Sequence, residues 1–239
     1  MEVIYEDNHI IIVNKQSGEI VQGDKTGDRP LSELVKDYIK EKYQKPGAVF
    51  LGVVHRLDRP VSGLVAFART SKALARLNKM FAEGQVHKTY WAIVPSRKVD
   101  GGRLKVEGGG LKVEGGEWTT LTHWIVRNEA QNKSYAYDHE VPNSKKAILK
   151  YRVIGQGDRY NLLEVQLMTG RHHQIRCQLS AIGSPIKGDL KYGAKRSNLD
   201  GSISLLSRKI EFVHPVSHQL ISVEAPLPTD ALWHVFEGV

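Results

Sequence analysis

The densest run of side chains able to do chemistry is His55-Arg-Leu-Asp-Arg-Pro-Val-Ser-Gly63. If the strand read from Val49 to Leu57 continues through it, Arg56 and Asp58 project to one face, because the side-chain period of a strand is two. Pro60 and Gly63 then turn the chain out of the sheet. Arg56 and Arg59 flank Asp58 with positive charge, which suits a carboxylate acting as nucleophile or base rather than as general acid. An ordinary turn with surface ion pairs accounts for this segment equally well when it is taken alone. A second cluster is Met168-Thr-Gly-Arg-His-His-Gln-Ile-Arg176, read as a strand-to-helix turn. A helix opening with Thr169, Gly170 and Arg171 is a natural anion site. Arg176 sits beside the core-facing Ile175, so a partly buried guanidinium there needs an acidic partner; the plainer alternative is a surface arginine. His172 and His173 are adjacent, project differently from a helix and complete no Cys/His/carboxylate set, so no metal is expected.

Other motif readings fail on spacing. His55-Arg56 resembles the start of a kinase catalytic loop, but Leu57 precedes the aspartate and no downstream Asp-Phe-Gly follows. Ser62-Gly63 is not a nucleophile elbow. No paired carboxylate lies near Asp58 in sequence, which weakens a glycosidase reading.

The elements that must position these residues alternate in type. Residues 2 to 14 read as two strands around a turn at Asp7-Asn8, and the β-branched run Ile10 to Val13 suits a strand buried on both faces. Leu31, Leu34, Val35, Tyr38 and Ile39 mark a helix ended by Lys45-Pro46-Gly47. A second helix spans about Ser71 to Glu83, with Leu74, Leu77 and Phe81 on one face, Thr70 as N-cap and Gly84 as stop. Strands are expected at 90–94, 119–126, 147–154 and 161–168, then a helix from Arg171 to Ile182 and two short strands within 203–224. Residues 102–108 are nearly repeated at 109–115, a glycine-rich tandem that reads as a hairpin or loop inserted at about 101–117 and lacks the Gly-Lys-Ser/Thr ending of a phosphate loop. Many strands, few helices and no linker run argue for one α+β domain over 1–239, on a largely antiparallel mixed sheet with a few flanking helices.

Composition narrows the class. Of 239 residues, 41% are hydrophobic and 25% charged, which excludes a disordered chain. No run approaches the roughly 18 to 20 apolar residues of a membrane helix, no secretory signal opens the chain, and one cysteine, Cys177, makes no internal disulfide. A cytoplasmic protein, monomeric by default, is expected. The net charge is +8, and residues 55–100 hold nine Lys/Arg against three Asp/Glu. A basic field of this kind favours a polyanionic partner.

The two clusters together resemble a known family. Residues 55–63 are similar to the HRLDxxTSG signature of the RluA-type pseudouridine synthases, and Lys88-Thr-Tyr90 resembles that family's K-x-Y motif. Leu163 to Arg176 resembles its third motif, with Gly188-Asp189 and Tyr192-Gly193 following in order. Asn14-Lys15 with Gly18 resembles the opening motif. The likeness runs from about residue 3 to 228. It departs at Val61, where the signature has Thr, and at Gln16 and Gln22, where the first motif has Pro and often His. Met1 leaves no room for the N-terminal S4 RNA-binding domain of several relatives, so a stand-alone catalytic domain is expected.

The resemblance implies isomerisation of uridine to pseudouridine in ribosomal or transfer RNA, without metal or organic cofactor. It implies Asp58 as catalytic carboxylate, Arg56 as the residue entering the space of the flipped base, and Tyr90 stacked on the uracil. Arg176 would be the partner of Asp58, Ile175 an apolar wall, and Arg171 a further RNA contact. The alternatives are a non-catalytic RNA-binding module on the same fold and a nucleosidase that releases free uracil.

Overall fold

The computed structural model describes residues 1–96, 111–112 and 116–236. The expected insertion at 101–117 falls largely outside the described residues; within it, Leu111–Lys112 is a short strand. The chain divides into two compact units, Met1–Lys88 with Ser207–Pro226, and Thr89–Leu206 with Leu227–Val239.

The first unit is organised around β2 (Ile10–Lys15), whose six residues are all buried. It pairs antiparallel with β1 (Glu2–Glu6) on one side and β4 (Ser62–Ala68) on the other. Ile10 to Val13 have no exposed surface, as four consecutive β-branched residues between two neighbours require. Helix α1 (Leu31–Lys42) buries Leu31, Val35 and Ile39. Its first N–H groups find no side-chain cap; those of Leu31 and Ser32 donate to the carbonyls of Ile20 and Val21 instead. Helix α2 (Ser71–Ala82) has the expected Thr70 cap, whose hydroxyl accepts from Ala73 N–H. Its buried stripe is Ala73, Leu77 and Met80, with Leu74 and Phe81 half-buried beside it. Gly84 ends the helix at φ +72°, with Gln85 N–H returning to Met80 O.

The strand expected over 49–57 shrinks to β3 (Gly52–Val53), which pairs with β4 only at Gly52↔Ala68 and Val53↔Phe67. The reason is local: Ala66 N–H donates to His55 Nε2 at 2.9 Å, so a side chain takes the place of the next ladder bond and the backbone leaves the sheet. The two-residue period therefore does not align Arg56 with Asp58. The chain also enters the sheet where it was expected to leave it. Gly63 lies inside β4 at φ +110°, and a Cβ there would stand 2.4 Å from Ser207 O, so backbone passes backbone too closely for any side chain. In the same unit β11 (Leu205–Val213), all but its first two residues, pairs antiparallel with β12 (Leu220–Glu224).

The second unit is an antiparallel sheet in the order β5 (His87–Pro95, all but its first two residues), β10 (Tyr160–Leu167), β9 (Lys145–Gln156), β7 (Thr119–Asn128), β8 (Lys133–Tyr137), with β6 (Leu111–Lys112) on β9. Sequence periodicity had no place for β8. Helix α3 (Gln174–Ala181) lies on the face carrying Ile125, Ala136 and Ala147, which cluster with Cys177 and Tyr192. It starts three residues later than expected. His173 takes a left-handed conformation, φ 52°, and the Gln174 amide oxygen accepts from Arg171 N–H and Thr169 Oγ1. Thr169 to Arg171 is thus a loop tied down by Gln174, and the Arg171 N–H is already used. A short 3-10 turn, Leu190–Tyr192, and a last helix α4 (Ala231–His234) complete the described elements.

Candidate active site

Asp58 sits half-buried on the turn between β3 and β4, closed by a 3.0 Å bond from Val61 N–H to Asp58 O. The residue that fixes this turn is Lys15. In the β2–β4 register it stands opposite Gly63, at the end where the turn feeds into β4. Its side chain is fully buried, and Nζ donates to the carbonyls of Gln16 at 3.0 Å, Arg59 at 3.1 Å and Val61 at 2.6 Å. Gly18 N–H adds a second bond to Arg59 O. Three carbonyls on one ammonium satisfy every donor it has. Burial nevertheless pulls its pKa down to about 8, opposed by the charges of Glu19 and Asp58.

The flanking arginines divide. Arg56 is exposed. Arg59 turns to the loop before α1, where Nη1 meets Asp28 at 2.6 Å and Nη2 lies 3.8 Å from Asp24. Of the two arginines expected to flank Asp58, Arg59 thus has its guanidinium held by two carboxylates upstream.

His55 works on the scaffold side of the same turn. Its ring stacks on Phe81 at 5.0 Å, and the Ala66 N–H on Nε2 leaves the ring proton on Nδ1. Burial, with the nearby Lys88 charge, pushes its pKa down to about 3. The unfolded chain, with an ordinary value near 6.5, takes up the proton first, so this contribution to stability is lost as the pH falls below about 6.5 and is gone below about 3. At pH 5 the loss is about 2 kcal/mol. Urea unfolding of His55→Asn is expected to show a drop between pH 7 and pH 5 smaller by about that amount; an unchanged drop would remove His55 from the acid sensitivity.

In the second unit, Arg176 is 5% exposed, and Asp189, itself 1% exposed, is an acidic partner to it. Nε and Nη2 donate to the two carboxylate oxygens at 2.7 and 2.9 Å, a bidentate pair. The guanidinium also lies 5.0 Å over the Tyr192 ring. Tyr192 is fixed in turn: its hydroxyl accepts from Ser134 N–H and meets His173 Nδ1, both at 2.8 Å. Burial raises the Tyr192 pKa, so it remains a neutral phenol. Ile175 and Tyr90 are buried at 5% and 6%. Tyr90 stands opposite Val165 in the β5–β10 register. Arg171 is exposed, its Nε donating to Lys146 O at 3.1 Å.

The structure thus places Asp58 and Arg56 on one turn of the first unit, and Tyr90, Ile175, Arg176 and Arg171 in the second. Sequence reasoning singled out neither Lys15 nor Asp189 as a working residue. Both left a signal: a lysine closing an apolar strand, and an aspartate in a stretch that also holds Tyr192. Among the described residues no group of three or more His, Cys, Asp or Glu could hold a metal ion, and no helix is long and apolar enough to cross a membrane.

The α+β architecture is shared with a solved structure of human RNA Pseudouridylate Synthase Domain Containing 4, at a TM-score of 0.71 and 19% identity over 98% of this chain and 92% of that one. At the level of sequence, the RNA pseudouridylate synthase family profile matches residues 9–181. The uncharacterized RNA pseudouridine synthase YhcT of Bacillus subtilis is 30% identical, covering 96% of this chain and 70% of its own. The ribosomal large subunit pseudouridine synthase D of Xylella fastidiosa is 29% identical, covering 96% and 67%. The chain belongs to the RNA pseudouridylate synthase family.

Proposed function

We propose that this chain isomerises uridine to pseudouridine in structured RNA, with Asp58 as the catalytic carboxylate. The reaction breaks N1–C1′, turns the base and joins C5 to C1′, releasing the C5 hydrogen to solvent as N1 gains one. It needs no oxidant and no cofactor. A base inside folded RNA must leave its stack first. The observation that carries the reading is the Lys15 clamp, a fully buried ammonium spent on holding the backbone of the turn that presents Asp58. In this reading the exposed Arg56 fills the gap left by the base, Tyr90 stacks on the uracil, Ile175 supplies an apolar wall and Arg171 meets a phosphate. Arg176 is the fixed cation of the site. The chain acts as a single catalytic domain, monomeric and cytoplasmic, on ribosomal or transfer RNA, the former being named in the Xylella fastidiosa relative.

The test is tritium release from C5-labelled ribosomal and transfer RNA transcripts, with ribosomal particles as a third substrate. Release from at least one of them is expected. RNA bound without release from any would favour a non-catalytic binding module, and free labelled uracil would indicate hydrolysis. Lys15→Met keeps the side-chain volume and removes the clamp. A shift of about 1 Å in a catalytic group costs roughly 10²-fold, so single-turnover rates are expected to fall by about that factor with RNA affinity nearly unchanged. Wild-type rates in Lys15→Met would show that the clamp does not set the position of Asp58.

A further inference from the structure

The second unit's sheet has two faces of opposite character. Ile125, Ala136 and Ala147 face α3. Register puts their sequence neighbours on the other side: Trp124 stands opposite Tyr137 on β8 and Lys146 on β9, so an aromatic, an aromatic and a cation form one row across three strands. Tyr135 lies two residues along β8 on the same face, and Lys150 lies four along β9 from Lys146. Tyr135 and Tyr137 are 37% and 39% exposed, Lys146 and Lys150 are exposed, and Trp124 is half-buried.

This is an unusual use of large aromatic rings. Such residues mostly carry buried area in cores and interfaces, yet here two tyrosines lie open and Trp124 half open, with cations against Trp124 and Tyr135. Lys146 Nζ is 5.9 Å from the Trp124 ring centroid and Lys133 Nζ 5.3 Å from that of Tyr135. At the far end Arg152 covers Trp118 at 4.7 Å. Glu164, the carboxylate that the register places beside Arg152, is already bonded to it at 2.6 Å. The cations of β9 thus exceed the acids beside them, which complements a polyanion.

A purely electrostatic site for duplex phosphates needs lysines but has no use for open tryptophan and tyrosine. An apolar protein partner would use the rings but not the cations interleaved with them. Unpaired nucleotides use both, stacking bases on aromatic faces and setting phosphates on Lys or Arg. We infer that the face of β7, β8 and β9 turned away from α3 is a docking platform for an unpaired strand of the RNA. Trp124, Tyr137 and Tyr135 take bases, and Lys146 and Lys150 take phosphates. The inference rests on the reading of this chain as an RNA-modifying enzyme, and it adds a contact surface to that reading.

The experiment is titration of the whole chain with a single-stranded 10-nucleotide uridine-rich RNA, followed by tryptophan fluorescence. It uses wild type, Trp124→Ala with Tyr137→Ala, and separately Lys146→Gln with Lys150→Gln. Wild type is expected to bind with quenching, and the aromatic pair to lose at least about tenfold in affinity, within the range for stacked bases. The lysine pair leaves the rings in place, so its fold is not in question. Its binding should lose about 1.4 from the slope of log K against log salt, for two phosphate contacts on a single strand. Equal affinity in wild type and both variants would overturn the platform. So would a blunt RNA duplex, or polyglutamate as a stand-in for an acidic protein, competing as well as the single strand. Tritium release measured in parallel separates the two readings: a platform that binds in a chain without turnover would count against the enzyme, not against the platform.

Discussion

Asp58→Asn is expected to reduce tritium release by at least about 10³-fold while RNA binding stays within about twofold. The amide has the shape of the carboxylate but can neither attack carbon nor hold a proton, and losing the central reacting group of a site costs factors of this order or more. The turn should survive. It is held by Val61 N–H on Asp58 O, by Gly18 N–H on Arg59 O and by the Lys15 ammonium, and these bonds use no atom of the Asp58 side chain. A loss of turnover can therefore be read as chemistry. Single-turnover kinetics with saturating enzyme isolate that step from binding and release. A variant retaining more than a tenth of the wild-type rate would remove Asp58 from the mechanism. Asp58→Asn that binds RNA tenfold more weakly would point instead to a carboxylate organising the RNA contact.

Much of this arrangement can be read from residue order, and the failures are physical. Strand β2 and helices α1 and α2 are visible because burial on a regular element imposes a period, and both Thr70 and Gly84 leave local marks. Strand β4 is not legible because Pro60 and Gly63 resemble a chain exit. Gly63 is required by the approach of Ser207, which is remote in sequence. The strand over 49–57 reads too long because nothing local says that the His55 ring will take the Ala66 N–H. Strand β8 alternates buried and open positions, but its open face is aromatic, so the polar half of the pattern is lacking. The site divides in the same way. Arg176 beside Ile175 implied an acidic partner, but Asp189 lies thirteen residues on and follows a turn that sequence does not describe. Lys15 was visible as a motif residue, whereas its task, capping carbonyls more than forty residues away, exists only in the folded chain.

The second large effect is expected at Asp189. Asp189→Asn takes the charge from a bidentate partner of a guanidinium that is 5% exposed. Breaking a buried pair from one side costs about 3–5 kcal/mol, against a total of about 5–15 kcal/mol for an ordinary domain. Urea midpoints should fall accordingly, and turnover with them, because the guanidinium over Tyr192 loses the bond that sets its angle. Stability and catalysis can then be separated by replacing both partners. Arg176→Met with Asp189→Leu removes two charges together and leaves apolar side chains of similar volume, an exchange that is often neutral or favourable. That double variant should recover most of the lost stability and remain inactive. Wild-type stability in Asp189→Asn would show that the pair contributes nothing to folding. Activity in the double variant would show that Arg176 is a structural cation and not part of the chemistry. With recovery of stability and no recovery of turnover, the buried pair is retained for what the guanidinium does to the substrate, and Asp189 is the residue that holds it to that task.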